Sequence, residues 1–250
     1  MATLPTYALA ALFLPLFPLS IVFNRGLSAL RRDWMRALVL LVWPQAGVWI
    51  LSHAHGAPPG WLNVWAALTA LLYAYRALAV REAGIWIGFV AVSAWALLWA
   101  DPARSHLLAI QALGLSLPLA VAVLVTGVLE RRFGAAHTAL RLGLATTAPR
   151  LAALFVIAIL AVVATPVFSN FFVLVAAVAR QAPVMPAMAL TVLAVWILWA
   201  WSGARLVRGM VAGPGRPAAG ADLTPAAAWA YAVLFVGLAG AGISVGGLLL

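Results

Sequence analysis

The sequence predicts an all-α, polytopic membrane protein of about eight transmembrane helices, one of them broken near Pro166. Composition carries the class: 66% of the 250 residues are hydrophobic, 8% are charged, and mean hydropathy is +1.11. A soluble domain carries about a quarter charged residues. Eight apolar runs of spanning length carry the helix count, and the placement of the arginines carries the topology.

The runs are 4–23, 34–52, 61–80, 84–100, 106–129, 147–179, 184–204 and 225–250. A span needs about 20 apolar residues, and seven of the eight fit that length. The first, opening MATLPTYALA, has no basic leader and is expected to be a retained helix. The sixth is too long. At about 1.5 Å per residue it would reach roughly 50 Å, against a hydrocarbon core of about 30 Å. Within it, "ATPVFSNFF" (164–172) supplies the remedy. Pro166 removes a helical hydrogen bond and clashes with the preceding turn, so two half-helices with a joint are expected. Broken helices at membrane depth persist only where the loose backbone is buried or lines a cavity, and in transporters they mark the working site. The linker 209–224 is rich in Gly and Pro, and Thr224-Pro225 fits the start of the last helix. The loop 130–150 mixes apolar and basic residues and is expected to lie along the interface. Trp34, Trp61, Trp99 and Trp229 stand near span ends, as interfacial anchors do.

All fifteen basic residues are arginines. Between successive spans they fall alternately: Arg25, Arg31, Arg32 and Arg36; none; Arg76 and Arg81; Arg104; Arg131, Arg132, Arg141 and Arg150; Arg180; Arg205, Arg208 and Arg216. Alternate sides thus hold thirteen and two. The positive-inside rule makes the rich side cytoplasmic and puts both termini outside. The same pattern explains the net charge of +10 without nucleic acid. There is no cysteine, which excludes disulfides and thiolate metal sites.

Residues 61–250 carry a resemblance. "RALAVREAGIWIGF" (76–89), "ALGLSLPLAVAVLVTGVLERRFG" (112–134) and "APRLAALFVIAILAVVATPVFSNFFVLVAAVA" (148–179) are followed by "ARLVRGMVAGP" (204–214) and "DLTP" (222–225). This order resembles the C-terminal half of the antiporter-like, proton-translocating membrane subunits of respiratory complex I and multisubunit cation/proton antiporters. Related subunits occur in membrane-bound hydrogenases and inorganic-carbon uptake complexes. The family is built on two inverted five-helix repeats. The resemblance implies two N-terminal helices in 1–60, a five-helix unit like the second repeat in 61–208, and a linker with the terminal helix in 209–250, the first repeat being absent. It implies a bacterial inner membrane and, as partners, other subunits of a multisubunit complex beside the lipid bilayer.

The family's ion path is a row of ionisable groups at mid-membrane. This chain has Leu113 and Leu117 where the family carries His and Lys, and Leu174 where it carries Lys or Glu. Asp33, Glu82, Asp101, Glu130 and Asp222 all fall at helix ends or in loops. Arginine cannot relay protons, since its pKa exceeds about 12. The interior keeps neutral groups: Gln111, Ser116, Thr126, Thr165, Ser169, Asn170 and Thr191. Gln111, Ser116, Thr165, Pro166, Ser169 and Asn170 form the candidate polar path or helix-break site. Serine and threonine in membrane helices also bond their own backbone, so each has a structural reading beside the functional one. His53 and His55 share a loop without a third metal ligand, and His106 and His137 have no nameable partner. No nucleophile–base pattern, phosphate loop, carboxylate pair or cofactor motif is present, so no catalysis by the chain alone is expected. Gly240/Ser244 and Gly242/Gly246 are small-residue pairs suited to helix packing.

Three functions compete. The first is a structural or adaptor subunit that has lost its charged relay. The second is a half-channel whose charges come from a partner. The third, a self-contained membrane enzyme or carrier, needs polar groups converging at one depth.

Overall fold

The computed structural model describes residues 4–54, 59–100, 107–140, 142–213 and 222–250. His55, Asp101, Arg104, His106, Arg141, Arg216 and most of the linker lie outside them. Every long element is helical. In chain order these are α1 (Leu4–Phe13), α2 (Ser20–Ala29), α3 (Asp33–Ser52), α4 (Gly60–Ala79), α5 (Ala83–Leu97) and α6 (Leu107–Phe133). Then come a short α7 (Leu144–Thr147), α8 (Pro149–Val162), α9 (Ser169–Gln181), α10 (Pro186–Val211) and α11 (Pro225–Leu249). Among the described residues six are long and apolar enough to cross a membrane: α3, α4, α5 with its 3₁₀ extension to Ala100, α6, α10 and α11. The chain is a multi-pass, all-α membrane protein.

The two remaining expected spans are both broken. Residues 147–179 divide as expected, into α8 and α9. Residues 4–23, expected as one helix, also divide: α1 stops at Phe13 and α2 starts at Ser20. Pro15 and Pro18 are the cause, since each lacks a donor and clashes with the preceding turn. Pro44 and Pro118 stand alone inside α3 and α6, which continue through them. At about 1.5 Å per residue, a half-helix of 10 to 14 residues covers roughly 15–21 Å, short of a core of about 30 Å.

Cross-helix contacts sort the helix ends as the arginines do. Arg36 pairs with Glu130 at 2.8 Å, Arg131 pairs with Asp33, and Arg205 donates to the Leu78 carbonyl. Asp222 accepts from the backbone N–H groups of Arg150 and Leu151, capping α8 from a distant segment, while Arg150 Nη1 donates to the Leu223 carbonyl. At the opposite end Gln181 donates to the Ala100 carbonyl and Gln45 to that of Ala109. The loop after α6 is pinned to the α4–α5 turn: Ala83 N donates to Ala136 O, and Thr138 N to Arg81 O. Thr224 caps α11, accepting from Ala227 N at 3.3 Å, with Pro225 at the first helical position.

The core lies on α5 and α6, which are buried nearly all round, whereas α4, α10 and α11 turn one face outward. On α4 the inward face is Leu62, Ala66, Thr69, Ala70, Tyr73, Ala74 and Ala77, and the outward face carries Val64, Leu68, Leu72 and Tyr75. Lipid is as apolar as a side-chain core, so close backbone approach by small residues selects the packed face. Trp34, Trp61 and Trp229 are exposed, as expected of anchors. Trp99 is not: it is 4% exposed, and its indole has an interior partner.

Candidate functional site

A helix break leaves backbone carbonyls without partners, and in a membrane each must find one inside the protein. At the α8–α9 break the accounting closes. Leu160 O accepts from Thr165 N (3.2 Å) and Thr165 Oγ1 (3.0 Å). Asn170 Nδ2 donates to both Ala161 O (2.8 Å) and Val162 O (2.9 Å). Trp196 Nε1 donates to Val163 O (3.0 Å). Ser169 Oγ donates to Gly114 O (2.6 Å), fastening α9 to α6.

The α1–α2 break is closed by tryptophans from three other helical segments. Trp43 donates to Leu12 O (3.2 Å), Trp99 to Leu14 O (3.0 Å) and Trp65 to Phe17 O (2.7 Å). Phe17 N donates to Thr69 Oγ1 (3.3 Å), and the Ser20 hydroxyl meets Tyr73 OH at 2.7 Å. The two breaks run in opposite senses. α2 ends at the arginine-rich end, where Arg36 Nε reaches Leu30 O, and α8 begins there, at Asp222.

The candidate residues do not form one path. Asn170 and Ser169 are buried at the break, while Pro166 and Val167 face outward from the same joint. Ser116 is buried on α6 and accepts from Trp95 Nε1 at 3.0 Å. Gln111 lines a small cavity of about 20 Å³ with Leu174, Arg180 and Gln181. Thr126 and Thr191 bond their own helix backbone, at Val123 O and Ala187 O. Leu174 is 1% exposed beside Gln111, whereas Leu113 is 41% exposed on the outer face of α6. The residues at the relay positions therefore do not converge.

The sequence reading missed the indole–hydroxyl pairs. Trp86 Nε1 donates to Ser202 Oγ (2.9 Å), which donates to Trp199 O (3.0 Å). Trp199 Nε1 donates to Ser93 Oγ (3.1 Å), which donates to Ala70 O (2.7 Å). A proton wire needs members that both give and take a proton. An indole N–H only donates and a carbonyl only accepts, so each of these chains is closed at both ends. Among the described residues, no group of three or more His, Asp or Glu is placed to hold a metal.

Two non-glycine residues flanking Pro166 have left-handed backbones: Ala164 at φ 60° and Val167 at φ 90°. For a β-branched residue that is strained. Val167 is 47% exposed, so its side chain contributes little packing. Val167→Gly is expected to raise stability by about 1 kcal/mol. Thermal unfolding in detergent checks this, and a fall in melting temperature would refute the strain.

No family model matches the sequence, and no curated protein matches it. Solved structures do. A chain of respiratory complex I from Thermus thermophilus matches with TM-score 0.71 at 22% identity, over 96% of this chain and 57% of that one. A chain of the Mrp complex from Dietzia sp. matches with TM-score 0.73 at 19% identity, over 84% and 42%. A chain of the archaeal membrane-bound sulfane sulfur reductase matches with TM-score 0.77 at 16% identity, over 96% and 52%. The chain spans about half the length of each. Over that half it has the fold of the membrane subunits of complex I and Mrp, as the resemblance of the antiporter-like subunits led one to expect.

Proposed function

We propose that the chain is a structural or adaptor membrane subunit of a larger ion- or proton-coupled complex, an antiporter-like scaffold without its charged relay. One observation carries this reading: both helix breaks are closed by indole, hydroxyl and amide donors, and no acidic or basic side chain lies at either one among the described residues. In a translocating site the loose backbone at a break faces substrate or ion. Here it faces indole, hydroxyl and amide donors. The similar chains supply support of a coarser kind, since they come from multisubunit membrane complexes.

The break at residues 14–19 bears on the N-terminal segment. A broken helix followed by a long helix occurs twice, as α1/α2 with α3 and as α8/α9 with α10, in opposite directions. That repetition supports reading residues 4–52 as the end of the first inverted repeat, in place of two leading helices. The arginine distribution supports an inner-membrane orientation with both chain ends outside.

One observation favours the half-channel as a second reading. Asn170 Oδ1 is buried and, among the described residues, has no donor, so a donor group brought to the joint by a partner would find an acceptor there. Proton flux separates the two. The purified chain in liposomes should conduct no faster than protein-free vesicles. In the complex recovered by tagged purification from native membranes, Gln111→Leu should leave flux unchanged. Conduction by the chain alone would overturn the scaffold, and lost flux in the Gln111 variant would establish the half-channel.

A further inference from the structure

At the arginine-rich end, α2, α4 and α5 leave a cleft of about 290 Å³ between them. Three arginines line it, and they differ in how they are engaged. Arg36 is committed, to Glu130 and to Leu30 O. Arg76 lies over two rings, its guanidinium carbon 4.8 Å from the centre of Phe89 and 5.4 Å from that of Tyr73. Stacking holds the plane of the group and leaves its N–H edges available. Neither Arg25 nor Arg76 makes a side-chain hydrogen bond or ion pair among the described residues. Glu82 also lines the cleft, and its carboxylate is likewise unpaired among them.

With Arg36 neutralised by Glu130, the open groups are Arg25, Arg76 and Glu82, a net charge of +1. Gly88 also lines it, and a Cβ there would stand 2.9 Å from Asn24 Oδ1, so the glycine lets α5 approach α2 closely beside the cleft. Its outer rim is apolar: Ile21 and Ile85 both line it and both face outward, at 45% and 43% exposure. The cleft therefore joins a cationic end at the membrane surface to a greasy end directed at lipid.

We propose that this cleft binds the headgroup of an anionic glycerophospholipid of the phosphatidylglycerol class. The phosphodiester, with one negative charge, sits between Arg25 and Arg76, and the headgroup hydroxyls donate to Glu82. The acyl chains leave past Ile21 and Ile85. A free phosphate would use the same two arginines but not the apolar rim. Basic clefts between membrane helices on the cytoplasmic side suit such headgroups, with each arginine contributing about a factor of five in binding.

The test uses the full chain in detergent, stripped of lipid and titrated with phosphatidylglycerol, phosphatidylcholine or inorganic phosphate, with bound lipid read by native mass spectrometry. Phosphatidylglycerol should bind about tenfold more tightly than phosphatidylcholine, and inorganic phosphate at millimolar concentration should not displace it. The double variant Arg25→Gln/Arg76→Gln should lose that preference, while Arg81→Gln, next to Glu82 in the chain but not part of the lining, should keep it. Equal binding of the two lipids by the unaltered chain overturns the proposal, and needs no variant to fold. Displacement by inorganic phosphate overturns the lipid assignment, and full retention by the double variant overturns the site.

Discussion

Asn170→Leu should lower stability by about 1–2 kcal/mol although it places an apolar side chain in an apolar bundle. The amide nitrogen donates to Val162 O, which α8 leaves bare where it stops, and to Ala161 O, which also accepts from Ala164 N at 3.3 Å. Leucine has the volume but no donor. An orphaned buried carbonyl costs about 1–3 kcal/mol, and one is created, Val162 O, while Ala161 O keeps its longer bond from Ala164 N. One effect opposes the loss. Among the described residues Asn170 Oδ1 has no donor, and rotating the amide would set an acceptor against two carbonyls, so the side chain already holds one orphan that leucine removes. One acceptor orphaned and a second weakened, against one relieved, leaves a net cost of about 1–2 kcal/mol. Thermal unfolding in detergent measures it. Unchanged stability would mean the carbonyls find water and the break is wet, which would revive the half-channel reading.

The two breaks also show what a sequence displays of such a fold. The break near Pro166 was legible because its run was too long for one crossing. The one at Pro15 and Pro18 sat in a run of ordinary length, and a proline inside a span is weak evidence by itself: Pro44 and Pro118 interrupt nothing. What distinguishes the first break is two donors missing within one turn, together with carbonyl partners 31, 85 and 48 residues away in sequence. Those partners are tryptophans, which near span ends read equally well as interfacial anchors. Trp99 satisfied that reading and is buried instead. Helix faces were hidden for a different reason. In lipid the outward face of α4 is as apolar as the inward one, so hydrophobic periodicity fades and only the placing of small residues remains. Leu113 and Leu174 show the limit of motif reasoning: both read as relay positions without a charge, and the structure buries Leu174 beside Gln111 while turning Leu113 outward.

Gly242→Ala should be the most damaging single change, costing about 3 kcal/mol or more and abolishing the folded protein in a marginal background. The two small-residue pairs on α11 face different ways. At Gly242 an added Cβ would lie 2.1 Å from Val167 O and 2.9 Å from Phe168 C and Ser169 N. Those atoms are the backbone of the α8–α9 joint, so no side chain can turn aside. Either α11 or the joint must move by about 1 Å, beyond the ordinary overpacking cost of about 1–3 kcal/mol. At Gly246 the same methyl would meet the Phe172 ring at 2.8 Å, which can give way, so Gly246→Ala should cost less. At Gly240 nothing lies within 4 Å. Gly240→Ala should be neutral or stabilise the helix by up to about 1 kcal/mol. The three variants sit on one helix and share its propensity, so their differences isolate the contact with the joint. Thermal unfolding in detergent reads the ranking, and equal behaviour of the Gly242 and Gly240 variants would detach α11 from the break. The expected order ties the terminal helix to the scaffold reading: a glycine pressed on a bent backbone holds the joint in one shape, and a translocating joint would need room to change it.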